Sequence, residues 1–362
     1  MALRKSPPSD NSDTFFAATT RSCTSVFFPS SSGRPPAWIC SNTTFSPCSD
    51  VGDRRRPDAG GDIGPSLSER WEKSMAYIRY MYAGDGAVDG EEDDGGFDSV
   101  SLSWFNKIIS AHAQASARND TDGEPRHYHT MVHLEEMFGY LDWSLSAVLP
   151  STSDDDEDSD QLRFSASALC TMATFFHDAV YNPRSGTNEE DSTVLYERFA
   201  SELDDLFTLQ RRDKIGDRNW PTRERPQSFH VSVVRFILCT KSHTVAKVHM
   251  SETERHALEC FLDADMSVLG KYREAYSTYA AAIRSEYGHV PHEIYCRERG
   301  LILRKFLKGI KEGISPLYIT MCMREELENR AVENLCWEIR MLEKGIIPGK
   351  GGTTTVVGEN FN

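Results

Sequence analysis

From Leu67 to Leu342 apolar residues recur three and four positions apart, and no stretch shows a convincing alternation of apolar with polar residues. The first spacing lines up one face of an α-helix, whereas a half-buried strand needs a period of two. The pattern restricts the chain to helix-on-helix packing, so an all-α fold is expected. Helices are predicted at Leu67–Met81, around Trp104–Ile109, and at Tyr128–Leu141 and Phe164–Phe176. Others are predicted from Asn188 through Phe199, and at Phe229–Thr240, Glu254–Leu269, Tyr272–Tyr287, Arg297–Leu307 and Glu325–Leu342. Asn188 is read as an N-cap, with Glu189, Glu190 and Asp191 in the first turn behind it. No internal repeat is visible.

Composition sets the limits of that helical region. Residues 1–65 are rich in Ser, Thr and Pro and lack apolar periodicity. They cannot bury enough surface to offset the entropy of ordering them, and a disordered N-terminal tail is expected. Residues 66–345 are long enough for one domain with a real core, and residues 346–362 read as a flexible Gly- and Thr-rich tail. The chain has 55 acidic and 40 basic residues, a net charge of -15. That balance argues against coating a phosphate backbone, so no nucleic-acid partner is expected. Two acidic runs, Glu91–Asp94 and Asp154–Asp160, read as solvated loop insertions, and Arg211–Arg225 reads as a basic loop between helices. The nine cysteines contain no CxxC pair, which argues against a zinc ribbon or a thioredoxin-like site. There is no apolar run long enough for a membrane span and no secretory leader pattern. A reducing, cytoplasmic setting is expected, with organellar import through the Ser/Thr-rich N-terminal segment left open.

Three clusters carry chemistry. In Tyr128-His129-Thr130-Met131-Val132-His133, two histidines four apart would share a helix face. Both could ligate one ion, or one could ligate while the other handles protons. In Phe175-Phe176-His177-Asp178-Ala179-Val180-Tyr181, a His-Asp pair interrupts an apolar run. An unpaired carboxylate is costly to bury, and a cation offsets that cost. In the third, Leu258, Leu262, Met266 and Leu269 form a stripe. At about 100° per residue, Asp265 falls inside the stripe and is expected as the buried ligand. Asp263 falls outside it and is expected to be solvated, paired or supporting a ligand. Together the clusters offer two nitrogen and two oxygen donors on helices, a set suited to Mn²⁺, Fe²⁺, Co²⁺, Ni²⁺ or Zn²⁺ with positions left for water and substrate.

The order H…HD…D in an all-helical domain resembles the HD superfamily of metal-dependent phosphohydrolases, and Tyr128–His133 is similar to the YHNxxH motif of cyclic-nucleotide phosphodiesterases. More closely, the chain looks like the predicted metal-dependent HD-superfamily phosphohydrolases, whose pattern runs RxYH…H, FHDxVY, NExxS, DxDL, IRxEY. Here these read Arg126-His127-Tyr128-His129, Phe176–Tyr181, Asn188-Glu189-Glu190-Asp191-Ser192, Asp263-Ala264-Asp265-Met266 and Ile283-Arg284-Ser285-Glu286-Tyr287. The resemblance covers roughly Leu67 to Leu342 and implies an HD-type helical bundle. It implies His133, His177, Asp178 and Asp265 as ligands of a divalent metal (Mn, Fe, Co, Ni, Zn or Mg), and His129 as the proton donor. Thr130 replaces the phosphodiesterase Asn, and the HDxxH extension that brings in a second metal is absent. One ion is therefore expected, with His243 leaving two open.

Such an ion would lower the pKa of a bound water toward ~7 and polarise a phosphoryl oxygen. His129 would protonate the leaving group. Arg126, Lys241, His243 and Arg284 are expected around a small phosphorylated substrate. For these the alternative roles are a helix end, solvent, or a surface pair of Arg284 with Glu286. Glu189 and Glu190 are expected to orient water or a ligand histidine, or simply to open a helix. Two other readings are a di-iron HD-type oxygenase and a non-catalytic nucleotide-binding domain stapled by metal.

Overall fold

The computed structural model describes residues 64–83, 95–113, 125–149, 157–215, 225–245, 249–313, 315–349 and 354–355. Among these, ten α-helices carry the fold. They are α1 (Leu67–Ala83), α2 (Gly95–His112), α3 (Met131–Val148), α4 (Glu157–Phe176), α5 (Asn188–Ile215), α6 (Arg225–Thr240), α7 (Glu252–Asp265), α8 (Arg273–Glu286), α9 (His292–Lys311) and α10 (Met321–Leu342). A 3-10 turn, Met266–Gly270, joins α7 to α8. The described strand structure is one two-residue antiparallel pairing, Ile347–Pro348 with Thr354–Thr355. The all-α expectation holds.

Helix α4 lies at the centre because its sequence is apolar on nearly every side. Ala166, Leu169, Cys170, Met172, Ala173, Phe175 and Phe176 are all buried, and a helix of that kind must be surrounded. It packs against α1, α3, α6 and α7. Its C-terminal end is locked among rings. Phe175 meets Trp71 edge-on at 5.4 Å, and Phe176 meets Tyr196 edge-on at 5.0 Å. Burying each such side chain contributes about 2–3 kcal/mol, so the turn that follows α4 leaves from a fixed platform.

A second clamp holds the end of α7. Asp263 is 1 % exposed, and its carboxylate accepts from the Ile319 and Thr320 N–H groups and the Thr320 hydroxyl, each at 2.7 Å. It is neither solvated nor supporting a ligand. It caps α10 from a distant element, satisfying main-chain donors that the helix leaves unpaired. Beyond it, Asn334 donates to the carbonyls of Leu269 and Lys271. Gly270 packs so tightly on α10 that a Cβ there would lie 2.5 Å from that of Leu327.

Several boundaries differ from the sequence reading. Glu157–Asp160 open α4 instead of lying in an acidic insertion, and α5 runs on to Ile215 through the start of the basic stretch. Asn188 is the first residue of α5, not its cap. Its carboxamide bonds the backbone of Asn182 in both directions and closes the intervening loop. Ile346–Gly349 are packed and not a tail, with the Gly349 carbonyl accepting from Ser277. The acidic run Glu91–Asp94, residues 1–63, 216–224 and 356–362 lie outside the described residues. The described cysteines, Cys170, Cys239, Cys260, Cys296, Cys322 and Cys336, are free thiols. No described helix is long and apolar enough to cross a membrane.

Candidate metal centre

The side chains of the three clusters converge, and they do so at helix ends. Helix α3 starts at Met131, so His129 sits in the turn before it and His133 in its first turn. The two histidines therefore meet through a turn, at 6.0 Å between rings, and not as neighbours on one helix face. His177 and Asp178 lie just past the end of α4, and Asp265 is the last residue of α7. C-terminal helix ends carry partial negative charge, which favours a cation between them.

His133, His177 and Asp178 offer ligand atoms that all lie within 4.8 Å of one another, and this group could hold a metal ion. His177 Nε2 is 3.1 Å from Asp178 Oδ2. Asp265 adjoins them, with Oδ1 3.3 Å from His133 Nε2 and 3.8 Å from His177 Nε2. Both imidazole Nε2 atoms are buried without a hydrogen-bond partner. His177 Nδ1 donates to the Thr174 carbonyl at 2.9 Å, which fixes the ring with Nε2 as the atom facing the carboxylates. Polar atoms so deeply buried that lack a well-aligned hydrogen bond and are crowded by carboxylates are rare in folded proteins. Two imidazole nitrogens and one carboxylate gathered together, with the Asp265 carboxylate beside both imidazoles, make a donor set suited to a divalent transition ion. The residues present fit such an ion.

The electrostatics agree. Burial works against the charge on Asp178, but His177 and His129 hold its carboxyl below the ordinary range. Burial likewise opposes ionisation of Asp265, and His133 and His243 outweigh it, leaving the carboxyl well below its usual value. Burial alone would push the His177 imidazole down, but Asp178 and Asp265 lift it to about 9 in the metal-free protein. The Asp178 and Asp265 carboxylates thus stay ionised, and the imidazoles whose charge they favour are His177 and His129.

Glu286, the last residue of α8, organises His129 and was not singled out by its sequence. Its Oε1 accepts from the main-chain N–H groups of His127, Tyr128 and His129 at 2.8, 2.7 and 3.1 Å. Its Oε2 takes His129 Nδ1 at 2.7 Å and the Tyr181 hydroxyl at 2.8 Å. Burial pushes Glu286 up, and His129 with the main-chain donors brings it down to about 2. Burial also opposes charge on His129, while Asp178 and Glu286 override it and raise its pKa. The Tyr181 ring lies 4.2 Å from that of His129, and His129 Nε2 stands 3.9 Å from Asp178 Oδ2. A signal existed in the Ile283-Arg284-Ser285-Glu286-Tyr287 stretch, but beside Arg284 the carboxylate reads as half of a surface pair.

The four expected substrate contacts fare differently. Arg126 is engaged by main chain. Its guanidinium donates to the carbonyls of His129, Asp178 and Ala179 at 3.1, 2.6 and 3.1 Å, stitching the turn before α3 to the turn after α4. Arg284 also faces away from the cluster, bonding the Tyr287 and Val290 carbonyls and lying over the Tyr295 ring. Lys241 stands at the rim, donating to the Gly186 carbonyl at 2.9 Å and pairing with Glu190. Glu189 lies 3.9 Å from it, and burial raises the Glu189 pKa. Neither glutamate bonds His177, whose Nδ1 is held by the Thr174 carbonyl. His243 reaches the centre through Asp265, whose Oδ2 lies 2.9 Å from its Nε2. His112, at the end of α2, was missed altogether. It is fully buried, its Nε2 has no partner, and burial with the nearby Arg126 charge lowers it to about 3.

Comparison of the chain with protein-family models, curated proteins and solved structures finds no match.

Proposed function

We propose that the chain is a metal-dependent phosphohydrolase of HD type, acting on a small phosphorylated molecule such as a nucleotide. The observation that carries this is the pair of buried, partnerless Nε2 atoms on His133 and His177 facing Asp178 and Asp265, with a Glu286-held imidazole alongside. His133, His177, Asp178 and Asp265 would hold one divalent ion, drawn from Mn, Fe, Co, Ni, Zn or Mg. When bound, that ion supplies a Lewis acid for the phosphoryl group and a water of lowered pKa.

The remaining work falls to the chain. Glu286 holds Nδ1 of His129, so the proton to be delivered sits on Nε2, on the side of Asp178. His129 gives that proton to the departing alkoxide. Lys241, kept in place by Glu190 and the Gly186 carbonyl, is the cation within reach of phosphate oxygens entering from the rim. Glu189, with its raised pKa, stands beside it and orients water at the entrance. Arg126 serves by holding the turn that carries His129 to the turn that carries Asp178.

The test is to purify wild type beside Asp178→Ala, load both with Mn²⁺, Co²⁺ or Ni²⁺, and screen phosphate release from a panel of nucleotides. Metal-dependent release by wild type, lost in Asp178→Ala, is the expected result. A wild type that holds stoichiometric metal and releases no phosphate sinks the hydrolase reading. Oxygen consumption with bound iron would then move a di-iron oxygenase ahead, and inertness would move a metal-stapled binding domain ahead.

A further inference from the structure

The turn leaving α6 contains the one non-glycine residue with left-handed backbone among those described, His243, at φ 49°. That conformation is uncommon for a residue with a side chain and persists where surrounding structure enforces it. The turn is anchored on one side by Lys241, which reaches the Gly186 carbonyl and Glu190 at the start of α5. On the other side His243 Nε2 lies 2.9 Å from Asp265 Oδ2. The other oxygen, Oδ1, is the one beside His133 Nε2 at 3.3 Å and His177 Nε2 at 3.8 Å. The two oxygens of one carboxylate are therefore divided between a supporting imidazole and the cluster.

Asp265 needs such support. It ends α7, its side chain is 14 % exposed, and nothing in helical geometry alone decides which oxygen faces inward. A left-handed residue in the turn aims an imidazole back at it.

We propose that His243 is a positioning residue of the metal centre, holding Asp265 by Oδ2 so that Oδ1 is presented beside the His133 and His177 ring nitrogens. The proposal rests on reading the cluster as a metal centre. Residues that orient a ligand in this way are typically worth roughly 10- to 100-fold in metal affinity.

The experiment compares full-length wild type with His243→Gly, His243→Ala and His243→Gln. It reads Mn²⁺ and Co²⁺ dissociation constants by calorimetry, the number of ions bound, and the melting temperature without metal. Glycine relieves the left-handed backbone, so His243→Gly is expected to melt no lower than wild type without metal. Its ion affinity should nonetheless fall by roughly 10- to 100-fold. His243→Ala should lose a similar factor in affinity and also melt lower. His243→Gln, whose carboxamide nitrogen reaches to about where Nε2 stood, should recover most of the affinity. Wild-type affinity in His243→Gly would overturn the proposal, because only the backbone conformation would then matter. Two ions per wild-type chain falling to one in His243→Gly would overturn it as well, since His243 would itself be a ligand. If wild type binds no divalent ion, the metal-centre reading fails and takes this proposal with it. A wild type that binds while His243→Gly is unaffected removes His243 alone.

Discussion

Glu286 uses both carboxylate oxygens, one on three main-chain N–H groups and one on His129 and Tyr181. Glutamine can still accept from the main chain through its carbonyl oxygen, but it turns an amide donor toward His129 and removes the charge that sustains the imidazolium. Glu286→Gln should therefore fold, bind metal as wild type does, and lose about 10²-fold in turnover, within what a general acid contributes. Unchanged turnover, or metal lost along with activity, would remove the role assigned to the pair. The same carboxylate shows what a sequence withholds. His177 and Asp178 stand out because charge interrupts an apolar run. Glu286 bonds mainly to backbone, which leaves no mark on the residues it serves. Arg126 and Arg284 were legible as cations but not as cations already occupied by carbonyls, because carbonyl orientation is a property of the folded turn.

At the scale of elements, the helical spacing located every helix of the described chain to within its ends. The ends are where it erred, and the site is built there. Period alone extends α3 back to Tyr128, yet the helix starts at Met131 and leaves His129 in a turn. A single-stripe view of α7 put Asp265 inward as the buried carboxylate and left Asp263 outside the stripe, to be solvated, paired or supporting a ligand, whereas Asp265 is half-buried and Asp263 is paired with main-chain donors. Helix α7 is wrapped on its other side by the segment leading into α10, so Asp263 is the more buried of the two. Their substitutions should separate cleanly. Asp263→Ala strands two main-chain donors and a hydroxyl and should destabilise the fold by about 3 kcal/mol without changing metal affinity in the folded protein. Asp265→Ala should melt near wild type without metal and bind divalent ions far more weakly. Melting curves with paired metal titrations decide it, and the assignment falls if the two variants behave alike.

Across the whole molecule, two buried neutral histidines tie stability to pH. His230 lies between the hydroxyls of Tyr82 and Tyr196 at 3.1 and 2.7 Å, linking α1, α5 and α6. Burial lowers it to about 4, and burial with Arg126 lowers His112 to about 3. In the unfolded chain both titrate near 6.5. Between about 6.5 and 4 the unfolded state binds more protons than the folded one, so stability rises with pH across that window. Urea unfolding of the metal-free protein should show a loss of roughly 3 kcal/mol attributable to His230 on going from pH 7 to pH 4. His230→Gln should flatten that slope, and an identical slope in the variant would exclude His230 as its source.

The centre draws on the first turns of α3 and α5, the last residues of α7 and α8, and the turns after α4 and α6. It is coordinated by corners rather than by rods, and a corner's place is set by the length of the rod that leads to it. One residue added inside α4 would advance His177 and Asp178 by about 1.5 Å and swing them about 100° around the axis, far outside any ligand geometry. The same residue added to a connection that ends no such helix leaves every donor where it was. Inheritance of this site thus fixes the number of residues in its helices more strictly than their identity, and confines insertions and deletions to the links between them.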